Sequence, residues 1–143
     1  MTFFRLLFVA ALISFAVHLY QQHQESAALR DAKDTHGFML VPMPSNAVPN
    51  TVYIFAPLNC PKENAQRAAA LAAKLNELGI PNIRTSHYGA QTFESTEENL
   101  AAFKRLDVVM RGEIPIALIN GMGKANPTIE EVISEYNQTR NYQ

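Results

Sequence analysis

The hydrophobic pattern divides the chain into an apolar N-terminal run and a later alternation of short strands and amphipathic helices. Residues 3–20 are mostly apolar, with Arg5 near one end and His18 near the other. A run of this length approaches the roughly twenty residues that a helix needs to cross a bilayer. The pattern therefore predicts a transmembrane signal anchor over residues 1–20.

The charges beside this run favour an N-terminus that stays in the cytoplasm, because positive residues are retained on that side. The rest of the chain is then exported. We expect a single-pass protein of the cell (inner) membrane whose domain faces the periplasm or the exterior. A cleaved signal peptide is the alternative, since Ser14-Phe-Ala16 offers small residues to a peptidase. Cleavage there would leave a short apolar core, which favours the uncleaved anchor.

Residues 21–50 are polar and then proline-rich, which predicts a stalk followed by an extended linker. Pro42, Pro44 and Pro49 each fix their own φ angle and bias the preceding residue away from helix. The apolar residues 38–41 are candidates to pack onto the following domain as an edge strand.

Residues 51–143 alternate between β-branched or aromatic runs and helical periodicity, which predicts one α/β domain. Helices are expected to begin near Pro61, at the capping-box sequence Ser95-Thr-Glu-Glu98 and at Asn126-Pro127. The predicted order βαβαββα gives a mixed sheet with helices on both faces, a three-layer sandwich. Its strands are predicted at residues 51–55, 80–86, 114–119 and 123–125.

Local signals indicate how several of these elements end and pack. Gly79 is placed to end the first helix, and Asn120-Gly121 is a favourable hairpin turn. The acidic pairs at 97–98 and 130–131 are interpreted as first-turn helix charges and not as catalytic acids. Helical spacing predicts two further apolar faces, Leu100, Phe103, Leu106 and Met110 on the second helix and Ile129, Val132, Ile133 and Tyr136 on the last.

Composition argues against several function classes. The formal net charge is −1 and the twelve Lys and Arg residues are scattered, so we expect no basic face for nucleic acid. The single cysteine excludes an internal disulfide and a cysteine-based metal cluster. The four histidines lack zinc-ligand spacing and are interpreted as surface residues, so no metal is predicted.

The candidate reactive group is the thiol of Cys60, in the sequence Asn59-Cys-Pro-Lys-Glu63 between the first predicted strand and its helix. Unpaired N–H groups and the macrodipole at a helix N-terminus favour the thiolate, and Lys62 adds positive charge. Glu63 acts in the opposite direction, because a nearby carboxylate raises the pKa of a thiol. The sequence leaves two interpretations open, a nucleophile and a small buried hydrophobe.

These features resemble the thioredoxin/glutaredoxin superfamily over roughly residues 52–136. The resemblance rests on the element order, on Cys60-Pro61 as the start of a glutaredoxin Cys-Pro-x-Cys motif, and on the strand that opens at Pro115. It implies a thioredoxin-like fold in which Cys60 is the nucleophile, Pro61 opens the helix and Pro115 is a cis-proline. Ile114 would offer its backbone to an extended partner. The residues expected to contact that partner are Asn59, Pro61, Lys62, Ile114 and Pro115.

The chain departs from the family pattern at the second cysteine, whose place is taken by Glu63. The Gly-Gly-x-Asp type of turn that helps glutaredoxins to hold glutathione has no clean counterpart here. No cofactor is therefore predicted, with glutathione the one candidate. An alternative alignment matches Phe55-Ala-Pro57 to the Phe-x-Ala-Pro stretch of thioredoxins. It places Asn59 at the nucleophile position, and the active site is then lost.

Two functions follow from the resemblance. The first is a membrane-anchored, exported binding or assembly module with no resolving cysteine and no catalysis. The second is a monothiol glutaredoxin-like thiol–disulfide oxidoreductase that forms mixed disulfides through Cys60. Each would bind a protein or thiol partner near Cys60 and Pro115, and the membrane through residues 1–20. The missing second cysteine favours the module, and an unrelated sandwich with Cys60 in its core is the third possibility.

Overall fold

The computed structural model describes residues 10–21, 23–24, 33–57, 59, 61–89 and 93–140. The chain forms two compact units, Met1–Ala32 and Lys33–Gln143. In the first unit, a helix (α1) includes residues 10–21. Among the helices that the structure describes, none is both long and apolar enough to cross a membrane. Residues 1–9 of the predicted signal anchor lie outside the described residues.

The second unit is built on one mixed sheet. Its elements follow in the order β1 (Met39–Leu40), β2 (Val52–Phe55), α2 (Lys62–Glu77), β3 (Asn82–Thr85), α3 (Glu97–Met110), β4 (Ile116–Ile119), β5 (Met122–Ala125) and α4 (Ile129–Thr139). The five strands lie in the spatial order β1-β5-β4-β2-β3. β2 and β3 are parallel, and the other neighbouring strands are antiparallel. The predicted α/β class and mixed sheet are confirmed, and residues 39–40 form the edge strand proposed for this region.

Helices cover both faces of this sheet. One core cluster joins alternate residues of β2 and β4 to buried residues of α2 and α4, and it includes Phe38. On the opposite face α3 lies against β5 and β1. Every residue of β2 and of β4 is buried. Uninterrupted burial of this kind is expected for strands that lie between two helical layers.

The predicted turn at Asn120-Gly121 is confirmed. The two residues have φ angles of 45° and 86°, and the flanking pair of the hairpin is Ile119 with Met122. Positive φ at both central positions is the geometry of a type I′ turn, which Asn-Gly favours. Gly79 also ends α2 as predicted, because it supplies the left-handed conformation, with φ 69°, just after the cap.

Two predicted helix starts are wrong by one or two residues. The N-cap of α3 is Thr96, whose hydroxyl accepts a hydrogen bond from a backbone N–H in the first turn, and not Ser95. The N-cap of α4 is Thr128, in a complete capping box with Glu131. Asn126, expected in that role, instead lies in a turn with φ 47°. Neighbouring residues here have similar capping side chains, so the backbone conformation selects among them.

The predicted apolar face of α3 is partly wrong. Leu106 is buried as expected, but Leu100 is exposed and Val109 takes a core position. Phe103 is half-buried and stacks on Phe93, with ring centroids 4.0 Å apart. Helical periodicity identifies an apolar face but does not reveal how much of it the sheet will cover.

Candidate functional site

The sheet register brings the loop after β2 next to the loop before β4. Phe55 pairs with Ile116 in an antiparallel ladder, so the carboxyl end of β2 lies beside the amino end of β4. The loop after β2 leads through Asn59 and Pro61 into α2, and Pro115 directly precedes Ile116. The two segments predicted to contact a partner therefore lie at the same edge of the sheet.

The described residues after β2 are open to solvent. Asn59, Pro61 and Lys62 are all exposed. Pro61 is the N-cap of α2, with φ −50° and ψ 145°, and Lys62 is the first helical residue. Pro61 therefore stands one position before the expected first helical position, and its ring still suits a place that needs no N–H donor. Cys60 lies outside the described residues, so its reactivity stays a prediction from the sequence.

The loop before β4 contains a cis peptide bond between Ile114 and Pro115. Ile114 is half-buried and Pro115 is buried. The Ile114 carbonyl oxygen accepts a hydrogen bond from Arg67 Nη2 at 2.7 Å. The Pro115 carbonyl oxygen accepts from the N–H of Asn126, also at 2.7 Å. Both backbone acceptors of this dipeptide are therefore already engaged within the chain.

Arg67 is the residue that connects α2 to this loop. Besides Ile114, its guanidinium donates to the side-chain oxygens of Asn126 and Asn64, each at 2.8 Å. Asn126 in turn donates to Glu113 Oε2 at 2.8 Å. The planar fork of guanidinium donors suits one side chain that must hold several acceptors at once. The sequence does not reveal the role of Arg67, because nothing in the helical pattern indicates a contact 47 residues away in the chain.

Two open cavities lie near this edge. One, of about 320 Å³, includes Pro115 and Arg67 and extends to the start of α4. The other, of about 360 Å³, lies at the carboxyl ends of β2 and β3 and is lined by Ala56, Arg84, Thr85 and Ser86. These volumes are at the lower end of the range for small-molecule sites. Across the described part of the chain, no three His, Cys, Asp or Glu side chains are grouped to hold a metal ion.

A buried acidic pair joins α4 to the segment before β1. Glu135 is 1 % exposed, and its side chain hydrogen-bonds to that of Asp34. Burial, together with this bond and the charge of Asp34, raises the pKa of Glu135 to about 8. Burial also acts to raise the pKa of Asp34, but hydrogen bonds from Glu135 and from the N–H groups of Phe38 and His36 hold it below its ordinary value.

This pair is not among the residues predicted from the sequence, although the sequence contains one signal for it. Glu135 is three residues after Val132 and next to Tyr136, and helical spacing predicts both of these residues on the apolar face of the last helix. A charged residue on such a face is unusual enough to indicate a buried partner. Nothing in the sequence identifies that partner as Asp34.

No family model, curated protein or solved structure matches this chain. Its own residues and topology therefore carry the functional argument.

Proposed function

We propose that this chain is a membrane-anchored, exported binding or assembly module with a thioredoxin-like fold and no thiol–disulfide turnover. The observation that carries the proposal is the strand order β3-β2-β4-β5. In it, a parallel β2-α2-β3 unit is followed through α3 by an antiparallel β4-β5-α4 unit. The sequence of elements from β2 to α4 is the predicted βαβαββα order, and it supports the proposed fold.

The sequence supports binding over turnover. The chain has one cysteine, and Glu63 occupies the place of the second. A mixed disulfide at Cys60 could then be resolved only by an external thiol, because resolution requires a second attacking thiolate. Glu63 lies in the first turn of α2, where its negative charge acts against formation of a thiolate nearby.

The edge formed by the loops after β2 and before β4 is the surface where we place the partner. Asn59, Pro61 and Lys62 are exposed there. The guanidinium of Arg67 already donates a hydrogen bond to the Ile114 carbonyl oxygen. An extended partner would therefore contact the exposed residues of the first loop, or would displace the guanidinium before it could bond to that carbonyl.

The apolar surface of α1 supports the membrane anchor. Ile13, Phe15 and Tyr20 are each at least 60 % exposed. A helix that presents apolar side chains around its circumference is stable where an apolar medium covers it, and a bilayer is such a medium. The anchor and the export of the domain are therefore part of the proposal.

The absence of turnover is tested by comparing the full-length protein with its Cys60→Ser variant in detergent micelles. The substrate is a mixed disulfide between glutathione and a short peptide, with reduced glutathione as the attacking thiol. We expect both proteins to release the peptide thiol at the uncatalysed rate. A rate enhancement that depends on Cys60 would overturn the module and support the monothiol oxidoreductase.

The binding surface is tested in the same two proteins with a photo-crosslinking residue in place of Asn59. Leu78, exposed at the opposite end of α2, is the matched control position. We expect position 59 to crosslink to a membrane-located partner in both proteins. Position 78 should give no such crosslink. Equal crosslinking from both positions, or none from either, would contradict the assignment of this edge.

A further inference from the structure

Asp34 organises the segment through which the chain enters the second unit. Its Oδ1 accepts hydrogen bonds from the N–H groups of His36 at 2.9 Å and Phe38 at 2.7 Å. These bonds hold a turn that delivers Phe38 into the core, where its side chain is fully buried. The position of Asp34 therefore determines how the segment Lys33–Phe38 packs.

The other oxygen of Asp34 lies in the buried acidic pair. Neither Asp34 Oδ2 nor Glu135 Oε2 accepts a hydrogen bond from a donor group of the described residues, and both are buried. Two ionised carboxylates in this position would repel each other without solvent to screen them. A single proton between the two side chains makes one a donor and the other an acceptor, so the bond between them satisfies both.

The charged groups around the pair do not replace that proton. His36 lies on the same segment as Asp34, Lys124 on β5 and Glu131 on α4. Lys124 Nζ donates to the His36 carbonyl oxygen at 2.7 Å and forms an ion pair with Glu131 Oε1 at 2.6 Å. Lys124 is therefore already paired with a different carboxylate of α4.

We propose that Asp34 and Glu135 share one proton at neutral pH, and that loss of this proton at alkaline pH releases the segment Lys33–Phe38 from α4. This pH-dependent contact is independent of the partner-binding edge and of Cys60.

The direction of the pH effect follows from the two states of Glu135. Its ordinary value is 4.5, and burial with the bond to Asp34 raises the pKa to about 8 in the folded protein. Between these values the folded protein holds a proton that the unfolded chain has lost, so stability falls as pH rises from about 4.5 to about 8. The lowered pKa of Asp34 stabilises the folded protein at pH values above 3.8, the ordinary pKa of this group. That stabilisation is lost only as the pH falls below this value.

The test measures denaturation midpoints of the full-length protein in detergent micelles at several pH values from about 5 to about 9. The wild-type midpoint should fall up to about pH 8 and then level. Glu135→Gln should remove this slope, because its amide donates permanently to Asp34. Glu130→Gln makes the same change at an exposed position of α4 and should keep the wild-type slope.

Carboxyl ¹³C chemical shifts of Glu135 provide a direct readout, with an expected midpoint near pH 8. A midpoint near its ordinary value, or a wild-type slope in Glu135→Gln, would overturn the shared proton. If Glu135→Gln does not fold, Asp34→Asn makes the reciprocal substitution and should weaken the slope, because burial of Glu135 remains while the bond to Asp34 and its charge are lost; an unchanged slope would overturn the shared proton. His36→Gln should keep the wild-type slope, and loss of the slope in that variant would likewise overturn it.

Amide hydrogen exchange tests the release itself. Corrected for intrinsic rates, exchange at Phe38 should accelerate above about pH 8 while exchange at Ile54, in the centre of the sheet, stays slow. Unchanged protection at Phe38 would show that the proton is lost without release, and this part of the proposal would be wrong.

Discussion

Gly112 keeps α3 and β5 close together by having no side chain. A Cβ atom at this position would overlap the Cβ of Ala125 and would lie 3.2 Å from the Val109 carbonyl oxygen. The glycine is therefore required for close approach and not for an unusual backbone angle. Arg67 acts at the same scale through its side chain, since its hydrogen bonds to the Ile114 carbonyl oxygen and to Asn126 link α2 to the segments before β4 and after β5.

Gly112→Ala should lower the free energy of unfolding by about 1–3 kcal/mol, because the added methyl group forces α3 and β5 apart. The double variant Gly112→Ala/Ala125→Gly removes the opposing methyl group. It should recover most of the loss, less about 0.5–1 kcal/mol for a glycine within a strand. Chemical denaturation measures both, and a double variant no more stable than the single one would contradict the steric explanation.

At the scale of elements, the helices α3 and α4 begin at threonine caps. Thr96 accepts from the N–H of Asn99 at 3.2 Å, and Thr128 exchanges hydrogen bonds with Glu131 in a capping box. First-turn acidic residues follow both caps, as predicted. Their negative charges interact favourably with the positive end of the helix dipole. Each helix start therefore combines a cap with a favourable charge.

Thr96→Ala should cost about 1 kcal/mol of the free energy of unfolding, because an N–H of the first turn loses its acceptor. The neighbouring Ser95→Ala is the matched control and should change stability by less than about 0.5 kcal/mol. Urea denaturation of both variants measures the difference. Equal losses from the two substitutions would mean that the cap is not confined to Thr96.

At the scale of the whole molecule, the second unit begins before the first long strand. The N–H of Val41 donates to the Gly121 carbonyl oxygen at 2.7 Å, and β1 pairs with β5 through Met39 and Leu40. Phe38 fills part of the core beneath them. These contacts make residues 38–41 part of the second unit.

The fragment Lys33–Gln143 should fold without the first unit, whereas a fragment that begins at Pro42 should be less stable by more than about 3 kcal/mol. Loss of a buried phenylalanine alone costs about 3–5 kcal/mol, and the shorter fragment also exposes the edge of β5. Thermal unfolding by circular dichroism compares the fragments. Phe38→Ala in the longer fragment separates the two contributions, and equal melting temperatures for the fragments would contradict the prediction.

Short-range chemistry made much of this fold predictable. The hairpin at Asn120-Gly121 and the end of α2 at Gly79 depend on the backbone freedom of one or two residues. The residue types alone indicate that freedom. The alternation of strands and helices follows from residue spacing, whereas the choice of the loops after β2 and before β4 as candidate site segments comes from the family resemblance. Asn59 and Pro61 are exposed, while their role and that of Cys60 stay predictions.

The sequence by itself therefore determined which segments become strands, helices and turns, because those choices depend on neighbours along the chain. Only the tertiary structure decided that Thr96 and not Ser95 caps α3, and that Arg67 engages the Ile114 carbonyl. It also decided that Glu135 is buried against Asp34. These outcomes depend on groups that come into contact only when distant segments of the chain pack together. No local sequence pattern specifies which polar atoms will be buried by that packing or which partners they will have.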